Sequence, residues 1–219
     1  VLADPGTGVA WEAPFCQLLT LSYKPNEIIA IWPLTQVIAT PQARYDILAA
    51  AMKGSLRVGA STSIPLEEAI FVIDGPRIRT NEWLTEAENL RLALRETEGQ
   101  DGTYDLGLET ERLNLPVRVR RMLDPAGLQP DAFEKIRLDA NIRFDKPWDR
   151  FAIEQRRPQP RAIELREARA TWGELDLRAA GNLDIDEAGR ASGDITIKAK
   201  NWREILAIVE RSGLLPQSF

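Results

Sequence analysis

The stretch that decides the fold is Trp172–Gly213, WGELDLRAAGNLDIDEAGRASGDITIKAKNWREILAIVERSG. It reads strand, turn, strand, turn, strand, helix, with ELDLRAA, GNLDID and ASGDITIKA as strands and EAGR as a turn. Leu175, Leu177 and Ala179 fall on one face, followed by Leu183 and Ile185, then Ile195, Ile197 and Ala199. Successive side chains of a strand point to opposite faces, so this alternation predicts half-buried antiparallel strands with a polar outer side. The terminal segment carries helix signals. Asn201 is a good N-cap with Glu204 three residues on, Trp202, Ile205, Leu206 and Val209 make an apolar stripe, and Gly213 stands at the C′ position.

The same alternation recurs upstream. FEKIRLDANIRFD (133–145) puts Ile136, Leu138, Ala140, Ile142 and Phe144 on one face and Lys135, Arg137, Asp139, Asn141 and Arg143 on the other. LRLALRETEGQDGTYDLGLET (90–110) reads as a hairpin with Gly-rich turn chemistry. FCQLLTLSY and IIAIW read as a second hairpin about the turn YKPNE (23–27), and LRVGA and AIFVIDG as short strands, the latter closed by Gly75-Pro76. RYDILAAAM (44–52) has helical composition but stands between strands, and strand is the favoured reading. A Pro-rich connector near 116–132 has room for one short helix. The expected architecture is mainly β: one β-rich domain over 1–219, a strongly curved antiparallel sheet or partly open barrel or sandwich, with one short C-terminal helix. One helix is too little to cover so many one-faced strands, so the remaining apolar surface must close on itself or enclose a ligand.

Composition excludes several function classes. With no histidine among 219 residues, Ser-His and Cys-His nucleophile systems and histidine metal sites are ruled out. Cys16 is alone, so there is no internal disulfide or Cys-pair metal site, and in FCQLLTL it reads as a buried small hydrophobe. A net charge of -5 argues against nucleic acid. No apolar run approaches the ~20 residues that span a bilayer. The chain opens at Val1 in what reads as a strand end, so any anchor or signal is expected in a segment missing upstream.

Four features invite chemistry, and each has a plainer reading. Asp184–Gly189 resembles the start of a calcium loop, but Ala188 stands where a ligand is needed, and a hairpin turn explains it. Glu134, Asp139, Asp145 and Asp149 offer paired carboxylates for acid/base work, against solvated charge on a polar strand face. Arg118, Arg120 and Arg121, and Arg156, Arg157 and Arg161, suit anionic headgroups or an acidic partner, against solvated connectors. Six tryptophans sit mostly at strand ends, either lining the mouth of an apolar groove or packing at the rim of a core.

Taken together, WEAPF, LSYKPNEIIAIWP, LDPAG, LDANIRFDKPWDR, TWGELDL, GNLDIDEAGRASGDI and NWREIL…SGLLP resemble the DUF2125 family of alphaproteobacterial envelope proteins. The family in turn resembles, in pattern, larger periplasmic sheet proteins of the AsmA type. The resemblance implies a curved sheet with an apolar inner face, a periplasmic location anchored to the inner membrane through a segment missing here, and further strands beyond the other end. It implies no catalytic residue and no cofactor. The functional expectation is a non-enzymatic protein holding a lipid or other apolar molecule in a β-sheet groove. Its candidate lining is Ile136, Leu138, Ile142, Trp172, Leu175, Leu177, Ile195, Ile197 and Trp202. The alternative is a structural subunit pairing with an envelope protein partner. No metal, cofactor or nucleic acid is expected.

Overall fold

The computed structural model describes residues 2–4, 8–124, 127 and 129–200. The expected helix at 201–213, with Trp202, lies outside the described residues. Among the described residues sixteen strands run β1 (Leu2–Asp4), β2 (Val9–Glu12), β3 (Gln17–Leu21), β4 (Lys24–Ile31), β5 (Thr35–Ala39), β6 (Arg44–Leu48), β7 (Ala51–Val58), β8 (Leu66–Asp74), β9 (Arg77–Arg79), β10 (Leu84–Glu86), β11 (Asn89–Glu96), β12 (Thr103–Asn114), β13 (Ala132–Phe144), β14 (Pro160–Trp172), β15 (Leu175–Ile185) and β16 (Ala191–Lys200). Two short helices flank β13: α1 (Val117–Leu123) before it and α2 (Arg150–Glu154) after it.

All strands belong to one antiparallel sheet that does not close among the described residues. Its main body runs β3-β4-β7-β8-β11-β12-β13-β14-β15-β16. A wing, β1-β2-β5-β6-β9-β10, joins β12 through the pair Glu86–Asn114. The wing arises because four neighbouring strands break along one line. β4 passes into β5 through Trp32–Leu34, β6 into β7 through Ala49–Ala50, β8 into β9 through Gly75–Pro76, and β10 into β11 through Ala87–Glu88. Pro33 and Pro76 cannot donate to a ladder, and Gly75 takes a left-handed φ of 57°. Hydrogen bonds stitch the line: the Ala50 amide to Asp74 O at 2.8 Å, Gly75 to Glu88 O at 2.8 Å and Ala87 to Pro76 O at 3.0 Å. The wing folds towards the apolar side, since Ile47 packs with Ala49, Met52, Ile73, Trp32, Phe71 and Leu90 inside the corner. This fold line, together with strand twist, is the source of the sheet's curvature.

Three expectations change. The first hairpin turns at Ser22–Tyr23, ahead of the Pro25-Asn26 expected to form the turn, and those two residues lie in the start of β4. Asn26 stays there because its side-chain amide donates to Val58 O at 3.1 Å. β15 runs unbroken through Ala180 and Gly181, where a turn was expected. A Cβ at Gly181 would overlap Asp194 O, so the glycine permits close approach of β16 rather than a turn. Cys16 is exposed, not buried, because it precedes β3, which among the described residues is an edge strand paired only with β4. Helix α2 was not anticipated. Asp149 caps it, its carboxylate accepting the Ala152 amide at 3.1 Å.

Candidate functional site: the concave apolar face

The inner face of the main body is a continuous apolar surface, which follows from the register. From the pair Leu92–Leu108, one row of directly opposed residues runs through Phe71, Gly54 and Ala30 to Leu18. On the other side it runs through Leu138, Ala168 and Ala179 to Ile197. Every residue in this row across ten strands is apolar, over about 43 Å at roughly 4.8 Å per strand spacing. The next row repeats the pattern, with Leu94, Leu106, Ala140, Leu165, Gly181 and Ile195.

Two irregularities keep this face apolar to its ends. In β14 the register shifts between Leu165 and Ala168, so Arg166 is an extra residue that moves the inner positions from odd to even numbers. Without it Trp172 would face outwards. In β12, Arg112 has a left-handed φ of 50°. Beyond it Leu113 and its partner Phe133 join the inner cluster although their parity places them outside.

Both ends of the face are plugged. At one end Phe133, Trp172 and Leu175 are buried together, with Leu123 of α1 and Ile136 packed on them. Trp172 stacks on Phe133 with ring centroids 4.5 Å apart, and its indole N–H donates to Pro130 O at 2.8 Å. At the other end Tyr104 is fully buried, and its hydroxyl oxygen accepts the Trp148 amide at 3.0 Å. Phe144 lies edge-on to both rings, 5.9 Å from Tyr104 and 5.7 Å from Trp148. Burial pushes the Tyr104 hydroxyl up to about 12, and burial likewise raises the nearby Glu96 carboxyl, which accepts the Gly102 amide.

Between the plugs the face is open. It holds a hollow of about 440 Å³ over β4, β7, β8 and β11, lined by Ile28, Ala30, Phe71, Leu92 and Leu94 and by Trp32. Gly54 makes room for Trp32. A Cβ there would lie 3.0 Å from both the Trp32 and Phe71 rings, which meet edge-to-face at 5.0 Å.

The sequence-derived lining is therefore distributed rather than gathered. Trp172 and Leu175 are buried core, with Ile136 packed against them. Leu138, Ile142 and Leu177 lie half-buried on the inner face. Ile195 and Ile197 are 46% and 68% exposed at the β16 edge. The hollow itself belongs to the N-terminal half. Its signal was present in the apolar runs IIAIW and AIFVI and in LRLAL, but nothing local says which strand faces a void.

The outer face carries the charges. Arg166 joins Asp105 at 2.6 Å and Asp139 at 3.4 Å, and Arg169 holds Asp176 through two bonds of 3.0 and 2.9 Å. Lys135 bridges Glu109 and Glu111. Three of the four candidate carboxylates are thus bound to structure, while Glu134 stands exposed on β13. Asp139 pairs with Arg166, Asp145 with Arg156 at 2.8 Å, and Asp149 caps α2. The Asp184–Gly189 turn is a hairpin in which the Asp186 carboxylate accepts the amides of Ala188 and Arg190, both at 2.9 Å. Among the described residues no cluster of three or more metal-ligating side chains occurs. No helix among them is long and apolar enough to cross a membrane.

The family model for an uncharacterized protein conserved in bacteria, DUF2125, matches residues 1–219. No curated protein and no solved structure matches the chain.

Proposed function

We propose that this chain, which belongs to the DUF2125 family, is a non-enzymatic protein of the cell envelope that binds a lipid or other apolar molecule on the concave face of its sheet. The observation that carries the reading is the ten-strand apolar row with the hollow beside Trp32 and Phe71. Exposed apolar area of this extent is costly in water, at about 25 cal/mol per Å². A continuous exposed apolar patch marks an interaction site. The polar groups of the inner face are few, which suits acyl chains better than a headgroup. The periplasmic location and inner-membrane anchorage belong to the same proposal and rest on the sequence resemblance.

The test is native mass spectrometry with organic extraction on the protein gently purified from its own membranes. A lipid-mass adduct, released on extraction and rebound by the stripped protein, is the expected result. A stripped protein that takes up neither extracted lipid nor a fluorescent fatty acid overturns the reading. A second reading, a structural subunit of a membrane-associated complex, is favoured by the outer edge of β16, which no strand pairs among the described residues. A stoichiometric protein adduct without lipid is its signature.

A further inference from the structure

We propose that β16 is the interface for a second copy of this chain, paired antiparallel about Thr196 so that the two apolar faces become one. The proposal stands on the geometry of the strand and does not depend on what the hollow binds.

β16 is ten residues long and, among the described residues, pairs with β15 alone. Its register is unbroken from Asp176–Lys200 to Ile185–Ala191. Edge strands are normally blunted by prolines, bulges or inward-pointing charges, because their free N–H and C=O groups recruit other strands. β16 has no proline and no bulge, and it turns Ile195 and Ile197 inwards, 46% and 68% exposed.

The order of residues is self-complementary. Asp194, Ile195, Thr196, Ile197 and Lys198 read acid, apolar, polar, apolar, base about their centre. Opposed residues of an antiparallel pair share a face. With Thr196 opposite its own copy, Asp194 faces the second copy's Lys198, and Lys198 the second copy's Asp194, on the polar side. Ile195 and Ile197 face their counterparts on the apolar side. Neither Asp194 nor Lys198 has an ion-pair partner among the described residues, and Lys198 stands opposite Arg178, a like charge that a second Asp194 would offset. A one-residue slip turns the isoleucines to the polar face. A two-residue slip separates Asp194 from Lys198; centred on Ile197 it sets Asp194 opposite Lys200 but leaves Ile195 facing Ala199, and centred on Ile195 it leaves Asp194 facing Thr196. The resulting contact is two-fold and closes on itself.

The experiment is sedimentation velocity on the full chain over a range of concentrations, with far-UV circular dichroism to establish folding of each variant. The wild type is expected to dimerise. Asp194→Lys and Lys198→Asp alone each place like charges opposite at two points and weaken the dimer roughly tenfold or more. An equimolar mixture of the two variants restores complementary pairs and dimerises again. In a Cys16→Ser background, Thr196→Cys gives a disulfide-linked dimer, since the two Cα atoms would be about 5 Å apart. A monomer at every concentration, a dimer indifferent to both charge reversals, or a mixture that fails to recover would each overturn the proposal.

Discussion

Arg166, the extra residue of the β14 bulge, reaches across β13 to hold Asp105 of β12 at 2.6 Å. Asn141 and Arg166 together keep the Asp105 carboxyl below its ordinary range. The ion pair and the bulge have separable effects. Both side chains are about 40% exposed, so Arg166→Ala should cost no more than ~1 kcal/mol. Deleting Arg166 restores strict alternation and turns Trp172 outwards, a loss of more than about 3 kcal/mol. Denaturant unfolding of the two variants checks this, and equal costs would contradict the parity argument.

Trp172 anchors the plug at one end of the face. Its replacement by alanine removes a buried ring stacked on Phe133 and should cost about 3–5 kcal/mol. Trp172→Phe keeps the stack but leaves Pro130 O without its indole donor, a smaller loss of ~1 kcal/mol. The order of the two unfolding midpoints is the readout.

At the opposite end, Tyr104 sets an alkaline limit. Its folded value is raised by burial from 10.0 to about 12. Stability is therefore fully present below pH 10 and declines as pH rises from 10 towards 12. Tyr104→Phe should lower stability at neutral pH by about 1–3 kcal/mol, since the Trp148 amide loses its acceptor. It should also flatten the profile above pH 10. A variant as pH-sensitive as the wild type in that window would assign the limit elsewhere.

Asp145 does the reverse in acid. The Gln159 amide, at 2.9 Å, and the guanidinium of Arg156 hold its carboxyl below the ordinary value of 3.8. Its contribution is present above that value and is lost as pH falls through the depressed one. Asp145→Asn should lose this acid limb and loosen the 145–159 segment that carries Trp148. Hydrogen exchange of that segment at pH 7 and pH 3 measures both effects.

The hollow can be filled without touching either plug. Ala69 lines it and pairs with Leu94 and Leu56. Ala69→Trp should reduce uptake of a fluorescent fatty acid severalfold while leaving the melting temperature within a few degrees. Unchanged uptake would move the binding surface away from β7, β8 and β11.

Much of this fold is legible in the chain. Alternation in 133–145 and 175–199 dictates strands because a two-residue period offers only one apolar face, and the Gly-rich turn at 99–102 dictates the β11–β12 hairpin. The absence of histidine and the single cysteine restrict the chemistry whatever the fold. The rest is tertiary. A bulge at Arg166 and a left-handed Arg112 reverse parity only because neighbouring strands select that register. Trp172 and Leu175 look identical in pattern to Leu177, yet α1 and Phe133 cover the first two and leave the third half-buried. The hollow exists because four strands break on one line, and that alignment is a property of pairing between segments distant in sequence, which no local pattern records.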